Sequence, residues 1–347
     1  MAKRTRCGEV EMEGWAEKKV VVWGGGSWGT ALAVHLSKRF DRIALWVYEK
    51  EQLETMEKLR ENPDFLPGVA LPRNIELFGK PSELPFQGDV WLSITPTQYL
   101  RSLWKEIGPM RDERTIVVSA SKGIENGSLL MPSEIIESFV PAGCVAALSG
   151  PSFARDFVNG DITAVVFASP RGESAKTAQE LFSFGNMRGY LSSDRKGVEL
   201  GGALKNVIAI ASGLATGLGF GPNAVAAIIT RGVREIARLG AEMGCQPETF
   251  AGLSGLGDLV LTCYGAESRN RSLGVRLGQG EKLADIQGSM KMVAEGVPTT
   301  LSLHKLRESL KIEMPISSAV YQIIYEDVPP KAALEKLLAR SLKRENE

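Results

Sequence analysis

The stretch from Val21 to Leu32, VVWGGGSWGTAL, limits what this chain can become more than any other. An apolar run of β-forming residues meets three adjacent glycines, and Gly29 follows after Ser27 and Trp28. Gly24, Gly26 and Gly29 match G-x-G-x-x-G between an expected strand and an expected helix. Gly24 permits a tight turn, Gly26 lets the backbone approach a pyrophosphate, and Gly29 lets the helix pack close to the strand. The helix start then offers free N–H groups and a positive dipole end to phosphates. An ordinary tight strand-to-helix turn could carry the same glycines, so the local pattern leaves both readings open.

The surrounding sequence favours the dinucleotide reading. In such folds an acidic residue about 20 positions on, at the end of the second strand, accepts the ribose hydroxyls. RIALWV, residues 42–47, reads as that strand, and Tyr48 and Glu49 follow it, Glu49 lying 20 residues after Gly29. A carboxylate there suits NAD and repels a 2′-phosphate; a solvated charge at a helix start is the plainer alternative. Further β-rich runs (DVWLSITP, TIVVSASKG, CVAALSGPS, ITAVVFAS, MRGYLSS) alternate with helical patterns and predict a mostly parallel sheet. After Ser192 the pattern turns helical, with GALKNVIAIASGLA and PNAVAAIITRGVREIARLGAEMG as long apolar-periodic segments. Pro222 suits a first helical turn and Gly244 a C-terminal cap. LSLHKLRESLK and KAALEKLLARSLKR predict amphipathic helices nearer the end.

With 347 residues, there is chain for two domains. The expectation is an α/β Rossmann-type N-terminal domain with an all-α C-terminal domain: a flexible tail at 1–17, a dinucleotide-binding domain at 18–191 and a helical substrate-binding domain at 192–347. Basic and acidic residues balance at 41 each, which argues against nucleic acid or an anionic membrane as partner. The charged N-terminus has no apolar signal segment, and the longest uncharged run, Asn206 to Thr230, breaks at Gly221-Pro222-Asn223 like a turn between two soluble helices. Four scattered cysteines, Cys7, Cys144, Cys245 and Cys263, form no zinc spacing and predict reduced thiols in a cytoplasmic protein. No metal is expected.

Between Gly201 and Thr230 the only charge is Lys205. Its neighbours one helical turn on are Ile208 and Ala209, so its ammonium should be desolvated and its pKa lowered, as an acid/base requires. A lysine snorkelling from a helix end is the alternative. The two histidines, His35 and His304, fall inside helical patterns and read as structural, which leaves lysine to move any proton. Small polar motifs sit at strand ends and turns: SKGIE with Lys122, SGPS after CVAAL, GLGDL with Asp258, and SRNR from Ser268 to Arg271. Each alone could be structural. Together they suggest a small anionic substrate beside a nicotinamide.

In this order, GGGSWGTAL, SKGIE, LSGPSFA, GVELGGALKNVIAIASGL, ITRGVREIARLG, GLGDLVLTC, SRNR and VAEGV resemble the bacterial NAD(P)-dependent glycerol-3-phosphate dehydrogenases over about residues 18–342. The resemblance implies reversible reduction of dihydroxyacetone phosphate to sn-glycerol 3-phosphate, supply of that product to phospholipid synthesis, and a homodimer. It implies Lys205 as proton donor and acceptor, and Lys122, Gly150, Ser152, Asp258, Ser268, Arg269 and Asn270 as substrate contacts. Ser27, Trp28, Lys122, Ala154, Arg269, Val293 and Glu295 would touch the cofactor. That cofactor is NAD(H), with NADP(H) as the alternative. Where the family often carries a basic residue or histidine, this chain has Tyr48-Glu49, so a preference for NADH is expected. Gly25 replaces the usual alanine, a change expected to be harmless. A reductase of another small keto acid or phosphate, or a dinucleotide sensor without turnover, are the competing readings.

Overall fold

The computed structural model describes residues 15–290, 293–342 and 344–345, so most of the expected tail lies outside it. Among the described residues there are ten strands: β1 (Lys19–Trp23), β2 (Arg42–Trp46), β3 (Glu61–Asn62), β4 (Leu66–Ala70), β5 (Ile75–Phe78), β6 (Val90–Ser93), β7 (Ile116–Ser119), β8 (Val145–Ser149), β9 (Thr163–Ala168) and β10 (Met187–Ser192). The N-terminal half carries helices α1 (Ser27–Leu36), α2 (Lys50–Leu59), α3 (Thr97–Ile107), α4 (Pro132–Glu137), α5 (Ala154–Val158) and α6 (Glu173–Phe182). Nine more follow: α7 (Arg195–Gly217), α8 (Pro222–Glu242), α9 (Pro247–Ala251), α10 (Asp258–Tyr264), α11 (Arg269–Gly278), α12 (Leu283–Ser289), α13 (Gly296–Ser309), α14 (Pro315–Tyr325) and α15 (Pro330–Leu338).

Eight strands make one sheet in the order β10-β9-β8-β7-β6-β1-β2-β5, parallel except where β8 meets β9. Alternation along β1 shows why it sits inside. Val20 and Val22 face α1 and α6, with Leu32, Leu36, Leu181 and Phe182, while Val21 and Trp23 face α3 and α4, with Leu100, Trp104 and Ile135. Both faces are covered, as a parallel sheet needs. Strand order reverses between β1 and β6, so the chain after Trp23 enters the crevice where open α/β sheets bind ligands.

After Ser192 no strand occurs among the described residues. Helix α7 is the axis of the helical half, with twenty of its 23 residues buried. Asp194 caps it, accepting from Gly197 N at 2.9 Å. By length and apolarity α7 could cross a membrane, but 94% of that apolar window is buried inside the fold. Its small residues let neighbours approach to backbone contact. Cβ atoms placed on Gly213 and Gly217 would lie 2.1 Å from Arg271 O and 2.2 Å from Val275 O of α11. In return, Gly274 and Gly278 of α11 face Ile210 O and Leu214 O.

Several expectations need correction. Strand β5 and the β3–β4 hairpin, paired through Asn62 and Leu66, were not foreseen. The last helix stops at Leu338, short of the expected span. Part of the expected tail, Trp15–Glu17, forms a 3-10 turn that holds Asp41 N through Ala16 O at 3.0 Å. Cys245 and Cys263 are free buried thiols as expected, but Cys144 is disulfide-bonded. At Gly25 a Cβ would sit 3.0 Å from Val47 Cγ2, so the side chains around this loop are packed for glycine.

Candidate active site

The glycine loop leaves β1 and starts α1. Gly24 has φ +142°, a region L side chains avoid, and a Cβ on it would lie 2.7 Å from Ile94 O after β6. A Cβ on Gly29 would fall 1.9 Å from Gly24 O, so the helix packs on the turn itself. At Gly26 the surroundings reverse: nothing lies within 4 Å of a Cβ position. No side chain caps the start of α1. An open backbone cradle at an uncapped helix start fits a pyrophosphate. Trp28 packs on Phe157 of α5 with ring centroids 5.3 Å apart, which brings Ala154 close to the loop. Tyr48 and Glu49 stand exposed at the end of β2, one strand from β1 and apart from the lysines described below. Tyr48 lies edge-on to Trp46 at 5.6 Å, and Glu49 precedes α2.

Beyond the loop, two halves of the chain meet on one carboxylate. Asp258, 1% exposed, ends a π-helical turn (Leu253–Gly257) and begins α10. Its Oδ1 accepts from Lys205 Nζ, and its Oδ2 accepts from Lys122 Nζ at 2.7 Å. Lys205 lies mid-way along α7, not at its end, with 7% exposure. Burial pushes its ammonium down from 10.5 to about 7; Asp258 opposes that shift and Lys122 adds to it. Lys122 arrives from the loop after β7 and also donates to Gly150 O at 3.4 Å. Gly150 has φ +141° at the end of β8, and Ser152 Oγ donates to its carbonyl at 2.9 Å. Two ammoniums share one carboxylate, so with both charged the trio carries one net positive charge.

A second group comes from α11 and the start of α13. Ser268 caps α11, accepting from Arg271 N at 3.2 Å. Asn270 Oδ1 accepts from Gly296 N at 2.9 Å and ties α11 to α13. Arg269 donates to the carbonyl of exposed Val293 at 3.2 Å. Glu295 reaches across to the nucleotide-binding half, where its Oε2 would lie 3.3 Å from a Cβ on Gly123. Burial pushes its carboxyl up to about 8, against the pull of Arg269, Lys122 and the Thr97 backbone N–H.

Sequence reasoning named Trp28 as a cofactor contact but missed other polar groups near it. Trp28 Nε1, Thr97 Oγ1 and Ser149 Oγ are buried around the cleft with no hydrogen-bond partner among the described residues. Such groups suit a bound ligand that completes them. Ser149 stood in the SGPS motif, but Thr97 carried no signal beyond following a β run. Gln52 and Asn62, which reach the glycine loop from behind, lie in segments with no motif. Conversely, His35 and His304 stack on Phe184 and Tyr321 and serve packing.

Two family models match the chain: NAD-dependent glycerol-3-phosphate dehydrogenase N-terminus over residues 19–175, and the C-terminus of the same family over residues 194–335. The glycerol-3-phosphate dehydrogenase [NAD(P)+] of Geobacter sulfurreducens is 45% identical over 94% of this chain and 99% of its own length. That of Leptospira biflexa is 46% identical over 94% and 99%. The crystal structure of glycerol-3-phosphate dehydrogenase from Coxiella burnetii superposes with a TM-score of 0.88 at 34% identity, covering 93% of this chain and 99% of that one. A glycine cradle, a lysine pair on a buried carboxylate and full-length likeness lead to one conclusion: this chain belongs to the NAD-dependent glycerol-3-phosphate dehydrogenase family.

Proposed function

We propose that this protein interconverts dihydroxyacetone phosphate and sn-glycerol 3-phosphate with NAD(H), Lys205 giving or taking the proton. The observation that carries the reading is the bridge from buried Lys205 through buried Asp258 to Lys122, which spans the two halves. The cradle of Gly24, Gly26, Ser27, Trp28 and Gly29 would hold the pyrophosphate, with Tyr48 and Glu49 at the adenosine ribose and Ala154, Val293 and Glu295 toward the nicotinamide. Bound there, the nicotinamide supplies or accepts a hydride.

The chain's own part is charge and proton. As the substrate ketone is reduced, its oxygen gains negative charge, which the Lys205 ammonium stabilises and then protonates. With a pKa near 7, Lys205 is available in both forms, and the reverse reaction uses the neutral amine. Asp258 orients both lysines. Lys122, Arg269, Ser268, Asn270, Gly150 and Ser152 hold the phosphate-bearing substrate. The domain division at about residue 192, a homodimer, a cytoplasmic location and supply of glycerol 3-phosphate for phospholipid synthesis complete the proposal.

The test follows NADH and NADPH absorbance with dihydroxyacetone phosphate and a panel of other small ketones. Oxidation with dihydroxyacetone phosphate, with higher kcat/KM for NADH, is expected. Binding without oxidation would make the protein a sensor, turnover of another ketone alone would reassign the substrate, and a strong NADPH preference would overturn the role given to Glu49.

A further inference from the structure

The carbonyl of Gly25, in the middle of the glycine loop, is held from behind by side chains of three separate elements. Asn62 Nδ2 of β3 donates to it at 2.9 Å, Gln52 Nε2 of α2 at 2.8 Å, and Thr30 Oγ1 of α1 at 3.5 Å. Asn62 is completely buried. Its amide also donates to Thr30 Oγ1 at 2.8 Å, and its Oδ1 accepts from Phe65 N at 3.3 Å and Gln52 Nε2 at 3.4 Å. Every polar atom of Asn62's side chain is therefore engaged: one bond goes to the loop carbonyl, and two more go to Thr30 and Gln52, which bond the same carbonyl.

A trans peptide is planar, with its C=O and the next N–H pointing in opposite directions. The structure has no cis peptide bonds among the described residues. Pinning the Gly25 carbonyl toward Asn62 and Gln52 therefore aims the Gly26 N–H the other way, and beside Gly26 nothing lies within 4 Å of a Cβ position. Without the pin, a glycine-glycine peptide would rotate freely, and ordering it would weaken anion binding.

We infer that Asn62, with Gln52, is a positioning residue for the cofactor: it sets the Gly25–Gly26 peptide so that its N–H meets the dinucleotide pyrophosphate. Asn62 touches neither cofactor nor substrate. It acts through the loop, and the β3–β4 hairpin exists in part to carry it there. The inference rests on the dinucleotide reading of the loop, and the experiment separates the two.

The variants are Asn62→Leu and Gln52→Leu, compared with wild type by NADH titration of tryptophan fluorescence, steady-state kinetics and thermal unfolding. Loss of a hydrogen bond that preorganises a site costs about 1 kcal/mol or a little more, so Kd and KM for NADH should rise about fivefold to tenfold for each variant. Saturating kcat and KM for dihydroxyacetone phosphate should stay within about twofold. A purely structural role for Asn62 would lower the unfolding temperature and leave NADH affinity unchanged, which would overturn the inference. If Asn62→Leu does not fold, the half-buried Gln52→Leu decides alone, unchanged NADH affinity there being equally fatal. Failure of the wild-type protein to bind NADH would instead sink the dinucleotide reading itself.

Discussion

Lys205 shows how one side chain takes its chemistry from its surroundings. Buried on α7 beside a second lysine, it titrates near 7, where a solvated lysine would stay charged. In the proposed mechanism reduction uses its ammonium, so kcat for ketone reduction should fall as pH rises through about 7. Oxidation needs the amine, so that rate should fall as pH drops through the same value. Lys205→Met should lower turnover by about 10²–10⁴-fold, the usual worth of a positioned acid/base, while NADH still binds. Near wild-type turnover, or retained opposite pH slopes in that variant, would show that another group moves the proton. The lysine was legible in the sequence because it is the single charge between Gly201 and Thr230. Asp258 was legible as well, as the acid of GLGDL; that this one carboxylate, 53 residues away, serves both lysines is shown only by folding.

Elements differ in how openly they declare themselves. Glycine spacing marked the turn between β1 and α1, because backbone that must turn tightly and approach a ligand admits few residues. Asn62 left no such trace, since a hydrogen bond across 37 positions has no local pattern. The contact between α7 and α11 was equally hidden, although both helices carry glycines four apart at Gly213 and Gly217 and at Gly274 and Gly278. Here Gly274→Ala is the informative change. Its Cβ would fall 2.2 Å from Ile210 O, a carbonyl fixed within a buried helix. Overpacking of this kind costs about 1–3 kcal/mol, expected as a lower denaturant midpoint. An unchanged midpoint would mean the helices can move apart freely.

For the whole molecule, stability should depend on acid through a residue remote from the cleft. His35 is buried, donates through Nε2 to Phe182 O at 3.1 Å and stacks on Phe184 at 4.0 Å. Burial pushes its pKa from 6.5 down to about 4. The unfolded chain therefore binds the proton more readily between those values, and stability falls as pH drops from about 6.5 toward 4, by up to about 3 kcal/mol. Thermal unfolding of His35→Gln should show a shallower acid slope over that window; an identical slope would place the sensitivity elsewhere. The run of strand and helix patterns along the chain had set the broad plan, a nucleotide-binding half and a helical half. The long-range pairings that join them were set by tertiary packing.

The glycine contact between α7 and α11 has a consequence for how this enzyme can vary. Lys205 rides on one of these helices, and Ser268, Arg269 and Asn270 stand at the start of the other. As long as these glycines stay, their separation is therefore ruled by the radii of carbonyl oxygens and α-carbons, and not by side-chain volumes, which drift. The surrounding core can trade leucine for isoleucine and lose or gain robustness while the gauge of the substrate pocket stays the same. Catalytic spacing and thermal hardiness become separate inheritances.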